Sequence, residues 1–297
     1  MRIDSFTSFH PIINFIYFGS VIGFCMFFMH PVFQGIAFIS AFAYSIMLKG
    51  KKGFLFNLLY LLPVMLFMAI LNPVFNHQGM TILFYLESGN PITLESILYG
   101  VSAAFMFITI ILWFSCYNVV MTSDKFIYLF GKIIPALSLL FSMVLRFVPR
   151  YIEQIKAISY AQKCIGRDIS QGTIIQKAIN GIRILSIMTT WALENAIETA
   201  DSMKSRGYGL SGRTSFSIFR FDRRDKFIFT IMIGLIIIIL IGASMGQNTI
   251  RFYPSIKFSN FTALSIFINI AYFILCMLPV IINIQEAVKW KHLQSKM

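Results

Sequence analysis

Two places in the chain set an arginine beside a glycine at the end of a long helical pattern. They are Gly166-Arg167 after AQKC and Arg206-Gly207 after SMKS. Such an end can do recognition chemistry. The planar fork of an arginine binds a carboxylate through two parallel hydrogen bonds, so an arginine on a helix tip fits an acidic groove on another protein. The local alternative is a cation stabilised at a helix C-terminus by the dipole, worth about 0.3–1 kcal/mol. Covalent and redox chemistry have much less to work with. No G-x-x-x-x-G-K-[ST] run exists to cradle a nucleotide phosphate; Gly131-Lys132 lacks the upstream glycine and the following Ser or Thr. Cys25, Cys116, Cys164 and Cys276 form no Cys-x-x-Cys pair and have no Cys/His spacing suited to zinc. His10, His30, His77 and His292 are scattered along the chain. Neither a metal site nor a cofactor is expected. An embedded enzyme would need Glu87, Glu95 and His77 to converge, and these read as loop residues.

The two ends belong to one block. Sixteen of the chain's 25 Lys and Arg fall between Lys125 and Lys226. Within it, one helical pattern runs from about Pro135 to Lys163 and a second from about Thr173 to Ser205. In the first, Arg146, Arg150, Glu153 and Lys156 share a polar stripe, and Leu140, Val144, Phe147, Tyr151, Ile155 and Ile158 line the other side. Pro149 is expected to kink it. In the second, Glu194, Glu198 and Asp201 form an acidic stripe. Gly166 and Gly207 suit the left-handed cap that ends a helix. Two readings of the stripes stand side by side: they pair with each other where the helices cross, or some of their charges meet a partner protein.

The rest of the chain reads as membrane. Hydrophobic residues make up 57% and charged ones 12%, and the mean hydropathy is +0.75. This is not a soluble composition. Six apolar runs are long enough, or nearly so, to cross a bilayer: Pro11–Met29, Pro31–Leu48, Phe54–Leu71, Ile97–Met121, Phe227–Ala243 and Ala263–Ile284. The first reads as a retained span rather than a signal peptide. Lys and Arg fix the orientation. Lys49, Lys51 and Lys52 put the loop after span two inside, with Arg2, the charged block and the tail of Lys289, Lys291 and Lys296. Only Arg251 and Lys257 fall outside. The expected fold is all-α and polytopic, with both termini cytoplasmic. Residues 1–122 hold spans one to four, 123–226 the cytoplasmic helices, and 227–297 the last two spans and tail. The net charge of +13 then faces anionic lipid, and no nucleic-acid partner is expected. No Asp, Glu, Lys, Arg or His lies within the spans, which argues against a self-sufficient proton-coupled pump. Gly19, Gly23, Ala103, Ala104, Gly234 and Gly242 are places where helices could approach closely. Pro63 and Pro279 should bend their spans.

Several runs carry a family resemblance. IIPALSLLFSMVLRFVPRYIEQIKAISYAQKCIG (Ile133 to Gly166) and LENAIETADSMKSRGYG (Leu193 to Gly209) resemble the two coupling helices of the transmembrane T component of energy-coupling factor (ECF) transporters. NPVFNHQGMTILFYLESGNPITLESILYG (Asn72 to Gly100) is similar to that family's outer loop and the span entry after it. GRTSF (Gly212 to Phe216) and RFDRRD (Arg220 to Asp225) fit as well. The resemblance implies an ABC-type importer of the prokaryotic plasma membrane. In it the T component joins two cytoplasmic ABC ATPase subunits to a separate membrane S component that binds a vitamin or a metal ion such as cobalt or nickel. ATP hydrolysis would belong to the ATPases, and this chain would be no enzyme. The resemblance also implies an Ala-Arg-Gly-like triplet at each helix end. The second is Ser205-Arg206-Gly207. The first, Cys164-Ile165-Gly166, lacks the arginine, and two readings stay open: Arg167 supplies the cation from one residue further on, or the tip docks by apolar packing of Ile165. The main rival is a secondary transporter that binds its substrate itself; the charge-free spans and the lack of repeat halves count against it.

Overall fold

Proline and capping side chains start the membrane helices where the apolar runs begin. Pro11 and Pro31 each open a helix. The histidine before each one accepts into Nδ1 from the backbone two residues on, Ile12 N to His10 and Val32 N to His30, both at 3.3 Å. Proline has no N–H to orphan at that position, and the histidine satisfies one that remains. Thr93 caps the next membrane helix by accepting from Ser96 N at 3.3 Å.

The computed structural model describes residues 4–85, 90–131, 134–208, 210, 219–246, 249–258 and 262–295, with backbone only at 51–52, 54–58, 60, 62 and 135–138. After a short 3-10 turn, Ser5–Ser8, the helices are α1 (Pro11–Phe27), α2 (Pro31–Phe75), α3 (Leu94–Val120), α4 (Ser123–Gly131), α5 (Pro135–Cys164), α6 (Ile174–Ser205), α7 (Arg223–Ser244) and α8 (Ala263–Gln294). Strands β1 (Ile82–Tyr85) and β2 (Pro91–Thr93) form one antiparallel hairpin, and β3 (Ile250–Arg251) and β4 (Lys257–Phe258) a second. The fold is all-α apart from these two ribbons. Arg2, Glu87, the Gly212–Phe216 run and Lys296, all used in the sequence reading, lie outside the described residues.

Among the described residues, four helices are long and apolar enough to cross a membrane: Pro31–Gly50, Leu94–Val120, Arg223–Ser244 and Ala263–Gln294. Pro11–Phe27 and Pro63–Phe75 are apolar but shorter. At about 1.5 Å per residue, the 17 residues of α1 reach about 26 Å, a little under a hydrocarbon core of about 30 Å. The run α2 is two helices that meet at a kink at Gly50, with φ 61° and ψ −145°, so the expected second and third spans are joined by a sharp kink in place of an open loop. Only glycine takes that backbone without strain. Pro149 does not interrupt α5, which is helical on both sides of it.

The chain divides into two compact units: Met1–Phe126 with Phe219–Met297, and Ile127–Ile218. In the first, α2 packs mainly on α3, α8 packs on α2 and α7, and α1 packs on α3. The core is aromatic, with Trp113, Tyr17, Tyr44, Tyr272, Phe6, Phe18 and Phe33 fully buried. Lipid offers no hydrophobic reward for helix association, so van der Waals packing of these large rings and hydrogen bonds from their polar ends hold the helices. Tyr17 Oη donates to Cys276 O at 2.9 Å. Helices α7 and α8 pack tightly at Gly242, where a Cβ would sit 2.5 Å from Ile268 Cδ1. Among the described residues, Gly19, Gly23 and Gly234 have no such neighbour within 4 Å.

Candidate functional site at two helix ends

The second unit is built on α5 and α6. Ile158, Ile184 and Met188 are buried where they cross, with Tyr151 and Trp191 packed against them. The Tyr151 and Trp191 rings meet edge to face at 5.5 Å. Arg150 lies over the Trp191 ring at 5.4 Å, and Arg146 over Phe147 at 5.5 Å. The crossing is therefore aromatic and cation–π. Among the described residues no ion pair joins Arg146, Arg150 or Lys156 to Glu194, Glu198 or Asp201; the three acids are exposed. The expected pairing of the stripes is not what holds this unit. Aliphatic side chains are left open along both helices, including Leu140, Val144, Ile152, Ile175, Ile182 and Leu185.

Both helices end in the same hydrogen-bonded cap. At the end of α5, Arg167 N donates to Gln162 O at 2.9 Å and Gly166 N to Lys163 O at 3.0 Å. At the end of α6, Tyr208 N donates to Met203 O and Gly207 N to Lys204 O, each at 3.0 Å. These are the paired bonds of a Schellman motif. The glycine of each is left-handed, φ +76° at Gly166 and +79° at Gly207. The motif sets the two ends in register: Cys164 with Ser205, Ile165 with Arg206, Gly166 with Gly207, and Arg167 with Tyr208. The arginine of the second end thus stands at the cap position, where the first end carries Ile165, 61% exposed. Arg167 is exposed too, one position past the glycine.

The same register brings out two residues that the sequence reading passed over. Lys163 and Lys204 occupy equivalent positions in the last turn of each helix. The repeated Lys-x-x-Gly spacing in KCIG and KSRG was the available signal. Each lysine lies where the helix dipole favours a cation.

The turn after the first end is tied down. Asp168 Oδ1 accepts from Ser170 N at 2.9 Å, Asp168 Oδ2 pairs with Lys163 Nζ at 3.4 Å, and Asn180 Nδ2 donates to Asp168 O at 3.2 Å. The Ser170 N–H, with Lys163 behind it, holds the Asp168 carboxyl below the ordinary aspartate value. Helix α6 then starts with a capping box: Gln176 N donates to Thr173 Oγ1, and Thr173 N donates to Gln176 Oε1 at 3.1 Å. Of the candidates for acid–base chemistry, Glu87 lies outside the described residues. Glu95 is buried at the start of α3 and accepts from Thr81 Oγ1 at 2.6 Å, a structural use. Among the described residues no three His, Cys, Asp or Glu lie close enough to hold a metal ion.

Comparison with known proteins fits this layout. The chain is 32% identical over 112 residues to the energy-coupling factor transporter transmembrane protein EcfT of Leuconostoc gelidum, a match covering 37% of this chain and 42% of that protein. It is 33% identical over 106 residues to the EcfT of Lactobacillus helveticus, covering 34% and 38%. It is 36% identical over 107 residues to the EcfT of Streptococcus thermophilus, covering 35% and 40%. The chain thus matches about two-fifths of the length of these curated relatives. A family model described as cobalt transport protein, CbiQ, matches residues 15–218. That range takes in most of α1, both amphipathic helices and both capped ends, which is more than half of the chain, and the chain belongs to the CbiQ family.

Proposed function

We propose that this chain is the energy-coupling transmembrane scaffold of an ECF-type ABC importer in a prokaryotic plasma membrane. Residues 1–122 and 227–297 form its membrane part, with both termini cytoplasmic, and residues 123–226 its coupling part. The two capped ends, Cys164-Ile165-Gly166-Arg167 and Ser205-Arg206-Gly207, dock one cytoplasmic ABC ATPase subunit each. The open apolar faces of α5 and α6 receive the membrane S component, which carries a vitamin or metal ion. One observation carries the reading: two long amphipathic helices of one unit finish in the same glycine-locked cap, with exposed and differing side chains at the cap position. The curated relatives are named as transmembrane proteins of energy-coupling factor transporters, which supports the reading. ATP hydrolysis belongs to the partners, since no phosphate-binding loop exists here. Two lids that close on ATP would move two such tips and, through them, the substrate-carrying subunit. The test is to purify the tagged full-length chain from its native membrane and identify what accompanies it. Two ABC ATPases and a separate small membrane protein are expected. A chain recovered alone, which moves a solute when reconstituted by itself, would replace this reading with a secondary transporter.

A further inference from the structure

Lys125 is 5% exposed, which is unusual for a lysine that sits just past a membrane helix. Its ammonium is fully occupied. It donates to Thr7 O at 2.6 Å and to Val120 O at 3.1 Å. The Asn14 amide, oriented so that its nitrogen donates to Phe6 O at 3.1 Å, presents its oxygen to Lys125 Nζ at 2.9 Å. Three donors thus meet three acceptors, from the N-terminal turn, the last turn of α3 and the first turn of α1. The N-terminal turn is itself held. Asp4 Oδ2 accepts from Thr7 Oγ1 at 2.6 Å and from Tyr44 Oη of α2 at 2.9 Å. Asn283 of α8 donates to Asp4 Oδ1, and Ser5 N donates to Asn283 Oδ1 at 2.7 Å. Phe6 and Phe9 are buried beside it. At the same end of the bundle Arg224 of α7 donates to Ser8 Oγ at 3.0 Å, stacks 4.3 Å over Phe9 and pairs with Glu286 of α8 at 3.4 Å. Every one of these groups lies in the membrane unit. Two residues after Lys125, still within α4, the chain passes into the other unit.

We propose that Lys125 is a positioning residue of the coupling reaction: it pins the first turn of α4 to the N-terminal turn, α1 and the end of α3, so that load arriving along α4 is delivered to the membrane helices. This rests on the proposed coupling function. A surface lysine would be enough for orientation in the membrane; a buried one with three protein acceptors from three elements is a joint. Burial pushes the ammonium down to about 8, with Asp4 opposing the shift, which is the mark of a cation kept in place at a cost. An unmet acceptor or a missing pin should therefore be felt locally.

Hydrogen exchange on the full chain in nanodiscs tests the pin. In Lys125→Met, amides of Ser5–Ser8 and Ser123–Gly131 should exchange about tenfold faster or more, with the interiors of α1, α3 and α8 unchanged. Lys125→Arg should restore part of the protection. If Lys125→Met does not fold, Asn14→Leu, which removes one acceptor, should speed the same two segments by a smaller factor. Unchanged exchange there, or loss of protection throughout the unit, overturns the proposal. The second arm uses the complex copurified with its ATPases, with and without ATP and vanadate. Wild type should change exchange both at the helix ends and at Ser5–Ser8. Lys125→Met should keep ATP hydrolysis and the change at the ends but lose the change at Ser5–Ser8. A response at Ser5–Ser8 equal to wild type refutes the transmitting role. Failure to recover any ATPase would overturn the function it rests on and leave the pin to be decided by the first arm.

Discussion

Substituting Gly207 in graded steps tests whether the helix ends work through their backbone. At φ +79° an L side chain costs about 1–2 kcal/mol, and asparagine costs less than alanine because it tolerates the left-handed region. A Cβ at Gly207 would also sit 3.2 Å from Leu210 Cδ1, a contact that the flexible leucine tip can relieve. The strain has an upper bound, because the cap can open instead. Opening gives up two hydrogen bonds, Tyr208 N to Met203 O and Gly207 N to Lys204 O, worth about 1 kcal/mol each. The strain is common to the free and the bound chain, so a partner that needs the closed cap loses only what it takes to close a cap that strain has opened: about twofold in affinity where strain and the two lost bonds balance, and more only where a bulkier side chain strains the cap further. Binding of purified ATPase subunits to the chain in nanodiscs should fall in the order Gly207→Asn, Gly207→Ala, Gly207→Val, with exchange of the Tyr208 amide rising in step. Gly166→Ala has nearly the same φ and nothing within 4 Å of its Cβ, so it should show the strain without the leucine contact. If Tyr208 exchange rises across the series while ATPase affinity stays level, the closed cap is not what the partner reads.

Three other outcomes are expected. Arg206→Ala should weaken ATPase capture by about 2–5 kcal/mol if it leaves a buried carboxylate unpaired, Arg206→Lys should recover only part, and Arg167→Ala should cost less; a pull-down in which only Arg167→Ala matters would put the main contact on the first end. Cysteines placed singly at Ser88 and Ser211, both outside the described residues, should be reached by an impermeant reagent on intact cells at Ser88 alone, and the reverse pattern would invert the topology. The turn at Asp168 should hold from neutral pH down to the ordinary aspartate value of 3.8 and loosen only below it, because a depressed carboxyl stabilises the folded turn above its unfolded pKa and ceases to as pH falls through the folded one. Exchange of the Ser170 amide reports this directly, and a rise near pH 6 would contradict the assignment.

Much of this architecture is legible because its signals are local. Hydropathy finds the apolar helices, since a membrane span is a composition. The two ends are found by glycine after a helical pattern, since the left-handed cap has one cheap residue. Signals fail where the partner is far along the chain. Lys125 reads as one more positive charge on the inner side, and nothing near it predicts Thr7 O or Asn14. Asp4 and Asn283 are 279 residues apart. Periodicity told which residues of α5 and α6 share a stripe, but it did not tell where the helices cross. The cross-over falls at Tyr151 and Trp191, so Arg150 meets a ring in place of an acid. Three lysines mark the break between spans two and three, but nothing in them tells that a single torsion at Gly50 makes it, with helix on both sides.

The helix ends combine both kinds of information. Glycine at 166 and 207 makes the backbone of each end nearly independent of the side chain before it: the same two hydrogen bonds form with isoleucine or arginine at the cap position. The cap residue is then free to vary without loss of the fold. A partner that reads shape sees two alike ends, whereas one that reads charge sees a difference between Ile165 and Arg206. Arg167 cannot erase that difference by adjacency, because the turn after the glycine gives it the position of Tyr208, past the left-handed residue. Exchanging the cap residues, Ile165→Arg with Arg206→Ile, should therefore leave both caps closed by amide exchange and move the arginine-dependent share of ATPase binding from the second end to the first.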